Sequence, residues 1–315
     1  MRRRDFITLL GSVAAWPLVA RAQQPAMPVI GYLSAVTSSR LPLFRRGLEE
    51  VGYVEGRNVA IEYRDAEDHY DRLPEMAADL VRRRVDVVVA AGGPSAAAAK
   101  AAAQTIPIVF LVGYDPVNVE LVTSLNRPGG NLTGVSVLET EVESKRLEIL
   151  HGLVPRATVI GLLINPINPN AEIVSRDVQA AADALGVQLH ILRASNERDF
   201  EAVFATLAEL RAGGLIIGGD PFLSRHGQQL AALTVRHRVP TIALYREFVA
   251  AGGLMSYGGS LTEGYRIVGN YAGRILRGEK PADLPVQQVT KVELVINLQT
   301  ARVLNLDVRS SLLKC

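Results

Sequence analysis

From Pro28 onward, short β-branched runs alternate with amphipathic stretches at intervals of roughly 25 residues, a rhythm that restricts the chain to βαβ units. In the first half the strand candidates are Val29–Leu33, Val59–Tyr63, Val85–Ala90 and Ile106–Phe110. Helices are expected over Leu41–Val51, Tyr70–Arg83, Pro94–Ala103 and Val117–Leu125. A run as apolar as Val85-Asp86-Val87-Val88-Val89-Ala90 suits a strand covered on both faces, the condition of a parallel sheet with helices on each side.

The turn-rich segment Asn126-Arg127-Pro128-Gly129-Gly130-Asn131 interrupts the rhythm before Leu132–Val135, and a first crossing into a second lobe is expected just after it. The pattern restarts with strand Thr158–Ile164, helix Asn170–Leu185, strand Gln188–Leu192, helix Arg198–Leu210, strand Gly214–Ile217, helix Ser224–His237 and strand Thr241–Leu244. Ala251–Tyr257 has the glycines and strand-like end of a return crossing, a long helix is expected over Thr262–Leu276, and a third crossing near Gln287–Val295. The fold class is α/β, with two doubly wound parallel-sheet lobes joined by a three-crossover hinge, which a few residues can rotate while each core stays intact. The expected N-terminal lobe is residues 28–135 plus 256–288, and the C-terminal lobe 136–255 plus 289–315.

Residues 1–22 read as an export signal. Arg2-Arg3-Arg4 precedes Asp5-Phe6-Ile7, an apolar stretch runs to Val19, and Ala20-Arg21-Ala22 is an A-x-A cleavage site. The adjacent arginines match a twin-arginine signal, with an arginine-rich general secretory signal as the alternative. Either route puts the mature start near Gln23 and the protein in the periplasm. Without Arg2, Arg3, Arg4, Arg21 and Asp5, the 34 basic and 32 acidic residues become 30 and 31. A mature chain this close to neutrality, with no Lys/Arg block, gives no electrostatic reason to bind nucleic acid or an anionic membrane. The single cysteine, Cys315, allows no internal disulfide and no lipid anchor near the cleavage site, and no second apolar run is long enough to span a bilayer. A freely soluble monomer without membrane insertion of the mature chain is expected.

In open α/β sheets ligands bind beyond the carboxyl ends of the strands. After the third strand, Ala91-Gly92-Gly93-Pro94-Ser95 leads into an alanine-rich helix, and the free N–H groups of Ser95 and Ala96 could seat a carboxylate, although the same residues are also good turn chemistry. Asp115-Pro116 and Asp220-Pro221 occupy comparable strand ends in the two lobes. They could fix ammonium or hydroxyl groups between them, or serve as helix N-caps followed by proline. Asn165-Pro166-Ile167-Asn168-Pro169-Asn170, at the end of a strand, adds amide groups able to donate and accept, Asn170 reads as a cap, and Tyr32, Ser34, Tyr245, Ser256 and Tyr257 bring hydroxyls to other strand ends.

Catalytic patterns are absent from the sequence. Gly258-Gly259-Ser260-Leu261-Thr262 fails the nucleophile elbow because Thr262 replaces its final glycine. His69, His151, His190, His226 and His237 are scattered and have no cysteine pair to join, so no metal site is expected, and neither nucleotide-binding glycine pattern is present. No cofactor and no catalytic residue are expected.

Gly218-Gly219-Asp220-Pro221-Phe222-Leu223-Ser224-Arg225 and the stretch Tyr245–Gly258 resemble the substrate-binding proteins of ATP-binding cassette importers, the family that includes tryptophan- and phenylalanine-binding members. Lys280–Val286, Glu293–Leu298, Gly31-Tyr32-Leu33, Gly52–Asn58 and Asp115-Pro116-Val117 extend the resemblance over nearly all of the mature chain. It implies a type I periplasmic binding fold and cleft positions at Ser34, Gly93, Ser95, Asp115, Asn165, Asp220 and Tyr257. Relatives that hold aromatic amino acids would use helix-end amides for the carboxylate and an acidic group for the ammonium. The Ala91–Ser95 loop departs from the threonine-containing version of many relatives. The expected function is capture of a small polar metabolite, an amino acid, an aromatic one among the options, or a related carboxylate, and its delivery to the membrane permease of an importer. The alternatives are a ligand sensor for a membrane receptor and an exported hydrolase using Asp115 or Asp220 as base.

Overall fold

The computed structural model describes residues 27–36, 39–137 and 142–308. The export-signal segment and Cys315 lie outside the described residues.

The first sheet is built from β1 (Val29–Ser34), β2 (Ala60–Asp65), β3 (Val87–Ala91), β4 (Ile108–Val112) and β5 (Leu132–Ser136). Helices α1 (Leu41–Glu50), α2 (Leu73–Arg82) and α3 (Gly93–Ala102) connect the first four. After β5 the chain passes to α4 (Glu143–Leu153) and a second sheet made of β6 (Val159–Ile164), β7 (Gln188–Arg193), β8 (Gly214–Ile217), β9 (Thr241–Ala243) and β10 (Met255–Gly259). Its connecting helices are α5 (Ala171–Leu185), α6 (Asp199–Glu209), α7 (Pro221–Arg225), α8 (Gly227–Arg236) and α9 (Arg246–Ala250). The long α10 (Leu261–Leu276) returns to the first lobe and leads into β11 (Gln287–Gln288), and β12 (Val292–Ile296) with α11 (Leu298–Val303) closes the second.

The sheet orders are β11-β5-β4-β3-β1-β2 and β12-β10-β9-β8-β6-β7. All pairings are parallel except that of β12 with β10, which is antiparallel. The chain crosses between the sheets three times, after β5, after β10 and after β11. The central strands β3, β4 and β8 are buried along their whole length, as the uninterrupted apolar runs require when helices cover both faces. On the first sheet, α1 and α10 approach so closely that a Cβ on Gly47 would overlap the Arg266 carbonyl oxygen, and one on Gly269 the Phe44 carbonyl oxygen.

Four details differ from the sequence reading. Residues 117–125 form successive turns instead of a helix: the amides of Leu121 and Val122 both reach back to the Pro116 carbonyl, and Glu120 has a left-handed φ of 56°. The helix expected over Ser224–His237 is broken into α7 and α8 at His226. Residues 256–259 do not accompany α10 into the first lobe, because β10 pairs with β9 and β12 in the second sheet. Finally, α4 carries no expectation from the sequence, since its buried face includes Glu143 and Arg146 and its apolar stripe is interrupted.

Candidate functional site

The carboxyl ends of the two parallel sheets face one another, and the loops that leave them wall a cavity of about 310 Å3 between the lobes. The first lobe contributes Ser34 at the end of β1, Gly92 and Gly93 at the start of α3, and Gly113 after β4. The second contributes Asn168 and Asn170 after β6, Gly219 and Asp220 after β8, and Tyr245 and Glu247 after β9. Gly92 takes a φ of 98°, which only glycine adopts without strain, and so turns β3 sharply into α3 beneath the cavity.

Asp220 is the N-cap of α7, accepting the Leu223 amide at 3.0 Å, with Pro221 at the first helical position. Capping uses only part of the carboxylate. Asn168 donates to Oδ2 at 2.8 Å, Asn165 to both oxygens at 3.3 Å, and the Tyr70 hydroxyl to Oδ2 at 3.1 Å. Burial nevertheless pushes the Asp220 carboxyl above the usual carboxylate range, against the pull of these donors. Burial, with Asp220 next to it, raises the Tyr70 phenol far above its ordinary value, so Tyr70 stays a neutral donor.

Tyr70 belongs to the first lobe and Asp220 to the second, so this bond spans the cleft. The same phenol oxygen accepts the Phe222 amide at 3.1 Å. Beside it, Asp68 meets Arg225 at 3.0 Å and His226 at 3.4 Å. Arg40 pairs with Glu247 at 2.7 Å and lies 5.4 Å from the centre of the Tyr245 ring. Tyr70–Asp220, Asp68–Arg225 and Arg40–Glu247 thus join the two lobes across the cleft.

The loop bearing Asp220 is anchored from behind. Glu143, at the start of α4, accepts the Gly219 amide at 3.0 Å and pairs with Arg146, which donates to the Ile217 carbonyl at 3.1 Å. Both side chains are buried. Burial raises the Glu143 carboxyl despite the lowering effect of Arg146. Among the described residues no cluster of three or more His, Cys, Asp or Glu side chains could hold a metal, and no helix is long and apolar enough to cross a membrane.

This arrangement of two lobes around one cleft is accompanied by a family match: residues 42–315 fit the model of the ABC transporter substrate binding protein family. The chain belongs to that family. Its members bind small molecules and work with ABC permeases outside the cytoplasm; they are binding proteins, not enzymes. A tyrosine-binding protein of Clostridioides difficile is 27% identical over 271 residues, 84% of this chain and 76% of the relative. Among solved structures, a conserved domain protein from Vibrio cholerae has a TM-score of 0.83 at 26% identity, covering 91% of this chain and 98% of its own. The ABC domain from Streptococcus pneumonia in complex with L-Trp has a TM-score of 0.80 at 24% identity, covering 91% and 97%. The fold is that of type I periplasmic binding proteins.

In this substrate-binding protein the residues singled out from sequence separate into two groups. Ser34, Gly93 and Asp220 line the cavity, and Asn165 lies just behind it, orienting Asp220. A Cβ on Gly93 would collide with the Tyr114 ring, so glycine is what lets β4 and α3 close beneath the ligand space. Ser95 is fully buried in the first turn of α3, with no hydrogen-bond partner for its hydroxyl, and does not line the cavity. Asp115 is not on the cavity wall either: it accepts the Val117 amide at 2.8 Å and closes a local turn. Tyr257 sits on β10 with its ring against the core of the second lobe, because the pleat that presents Ser256 to one face sends Tyr257 to the other.

Sequence reading missed Tyr70, Arg40 and Glu247, and offered Asn168 only as part of a longer amide-bearing segment. Asn168 had a signal, its place in Asn165-Pro166-Ile167-Asn168-Pro169-Asn170 after a strand. Tyr70 had none, since nothing local in the chain marks a residue whose partner lies 150 positions away.

Proposed function

We propose that the protein captures a small polar metabolite, an amino acid or related carboxylate, in the periplasm and passes it in the closed form to the permease of an ABC importer. The observation that carries this reading is a cavity whose polar wall comes from both lobes, so that a ligand gains its full set of contacts only on closure. Ser34, Gly93, Asn168 and Asp220 contact the ligand, with Arg40 at the rim. The tyrosine-binding relative and the L-Trp complex support an amino acid as cargo. The arginine-rich apolar segment over residues 1–22 supports export, by the twin-arginine route, of a mature chain that acts as a monomer.

The test is calorimetry of refolded, ligand-stripped protein against a panel of L-amino acids and aromatic acids, with small-angle scattering on each mixture. Binding by at least one member, with a decrease in radius of gyration, is expected. A silent panel with no closure in any mixture overturns the reading.

A further inference from the structure

His226, which follows α7, stands between carboxylates of both lobes. Its Nε2 lies 3.4 Å from Oδ2 of Asp68, in the loop after β2 of the first lobe, and its Nδ1 lies 3.7 Å from Oε1 of Glu197, in the loop before α6 of the second. The ring is largely buried and packs against Phe222 and Phe200, with centroids 4.8 and 5.9 Å away. The third charged group at the contact is Arg225, 3.0 Å from the same Asp68 oxygen. Of the other ionisable groups on these elements, Tyr70 gives its phenol to Asp220 and Asp199 accepts the Ser195 and Asn196 amides, while Glu67, His69 and Arg198 are exposed. The chain bears strain to present Asp68. Glu67 and Asp68 take successive left-handed φ values of 51° and 72°, which residues other than glycine hold only where their surroundings fix them, and the Asp68 amide ties the loop to the Ala35 carbonyl at 3.0 Å.

We infer that His226 is a proton-operated latch between the lobes. A neutral imidazole has one N–H and one lone pair, so it donates to Asp68 or to Glu197 and turns its lone pair on the other carboxylate. A charged ring donates to both. Asp68 and His226 belong to different lobes, so their contact exists only in the closed form, whereas Glu197 stays beside the ring in either form. Acid pH charges the ring and adds an attraction that favours closure; the gain is lost as pH rises and the ring gives up its proton. By linkage, closure takes up protons, and a ligand held by the closed form is bound more tightly as pH falls. Imidazoles as a class change charge between about pH 5 and 8. Arg225 holds Asp68 throughout that range, so the latch adds to a constant bond. This inference rests on the proposed reading that the lobes open and close around a ligand, and adds that the proton is a second input to closure.

Small-angle scattering of ligand-stripped protein, fitted as a mixture of open and closed forms, follows the latch with no ligand present. From about pH 8 to about pH 5.5, across the imidazole range, the closed-to-open ratio of the parent is expected to rise about two- to fivefold, the effect of a partly exposed ion pair. His226→Gln and Asp68→Asn are each expected to abolish the rise. Arg225→Gln removes the constant partner of Asp68 and is expected to favour the open form yet keep the rise, which a merely structural role for this contact would not do. A ratio that stays flat in the parent overturns the inference. If a member of the panel of L-amino acids and aromatic acids still closes that protein, the cleft reading stands; if none does, both fall. A rise that persists in His226→Gln or Asp68→Asn, or that disappears in Arg225→Gln, also overturns the latch.

Discussion

Tyr70 and Asp220 are joined across the cleft by a 3.1 Å hydrogen bond, and the same phenol accepts the Phe222 amide, so one side chain of the first lobe grips both ends of the α7 N-terminus in the second. Closure therefore depends on protein–protein bonds as well as on ligand. Tyr70→Phe keeps the ring and deletes the grip. A hydrogen bond to a charged group contributes about 1.5–3 kcal/mol, so ligand binding is expected to weaken by tenfold or more, with scattering shifted toward the open form. Unchanged affinity and unchanged scattering would show that the bond is incidental to closure.

The raised carboxyl of Asp220 makes stability depend on pH. Because burial favours its protonated form, the folded state binds more protons than the unfolded state above the ordinary carboxylate value of about 4. Stability from this group is present below that value and lost as pH rises through the raised one. Asp220→Asn cannot ionise, and its lost hydrogen bonds cost the same at every pH. The melting temperature of the variant, relative to the parent, is expected to climb with increasing pH. A pH-independent difference between the two melting curves would contradict the assignment.

Glu143 and Arg146 form a buried pair that clamps the turn between Ile217 and Gly219. Removing one partner strands a charge, which costs about 3–5 kcal/mol. Arg146→Met should therefore lower the denaturant midpoint sharply. The double variant with Glu143→Met should regain most of that loss, less the part owed to the Gly219 amide. Additive losses would mean that the two side chains act independently.

The α1–α10 contact leaves no room for a methyl group. Gly47→Ala and Gly269→Ala each force the helices apart and are expected to cost about 1–3 kcal/mol in thermal or denaturant unfolding. Together they should cost less than the sum, because the first displacement already makes space for the second methyl. Wild-type stability in either single variant would mean the helices separate without cost.

Much of the site's supply of residues was legible because strand ends are local. The runs that became β3, β4 and β8 carry their own signal in uninterrupted apolar composition, and Asp220-Pro221 carries the chemistry of a cap. Asp115-Pro116 carries the same dipeptide, yet it closes a turn, since Glu120 takes a left-handed conformation and no helix follows. The two dipeptides read alike by themselves, but Val117-Asn118-Val119-Glu120 follows one as a turn and Phe222-Leu223-Ser224-Arg225 follows the other as α7.

The sequence by itself determined the alternation of elements, hence two parallel-sheet lobes, since hydrophobic period and turn residues act over a few positions and need no distant partner. The tertiary structure alone decided which side chains meet. Tyr70 reaches Asp220, Arg40 reaches Glu247, and Glu143 supports Gly219 from another element. Those contacts follow from the register of two sheets and the angle between two lobes, quantities set by the packing of the whole chain and encoded in no single stretch of it.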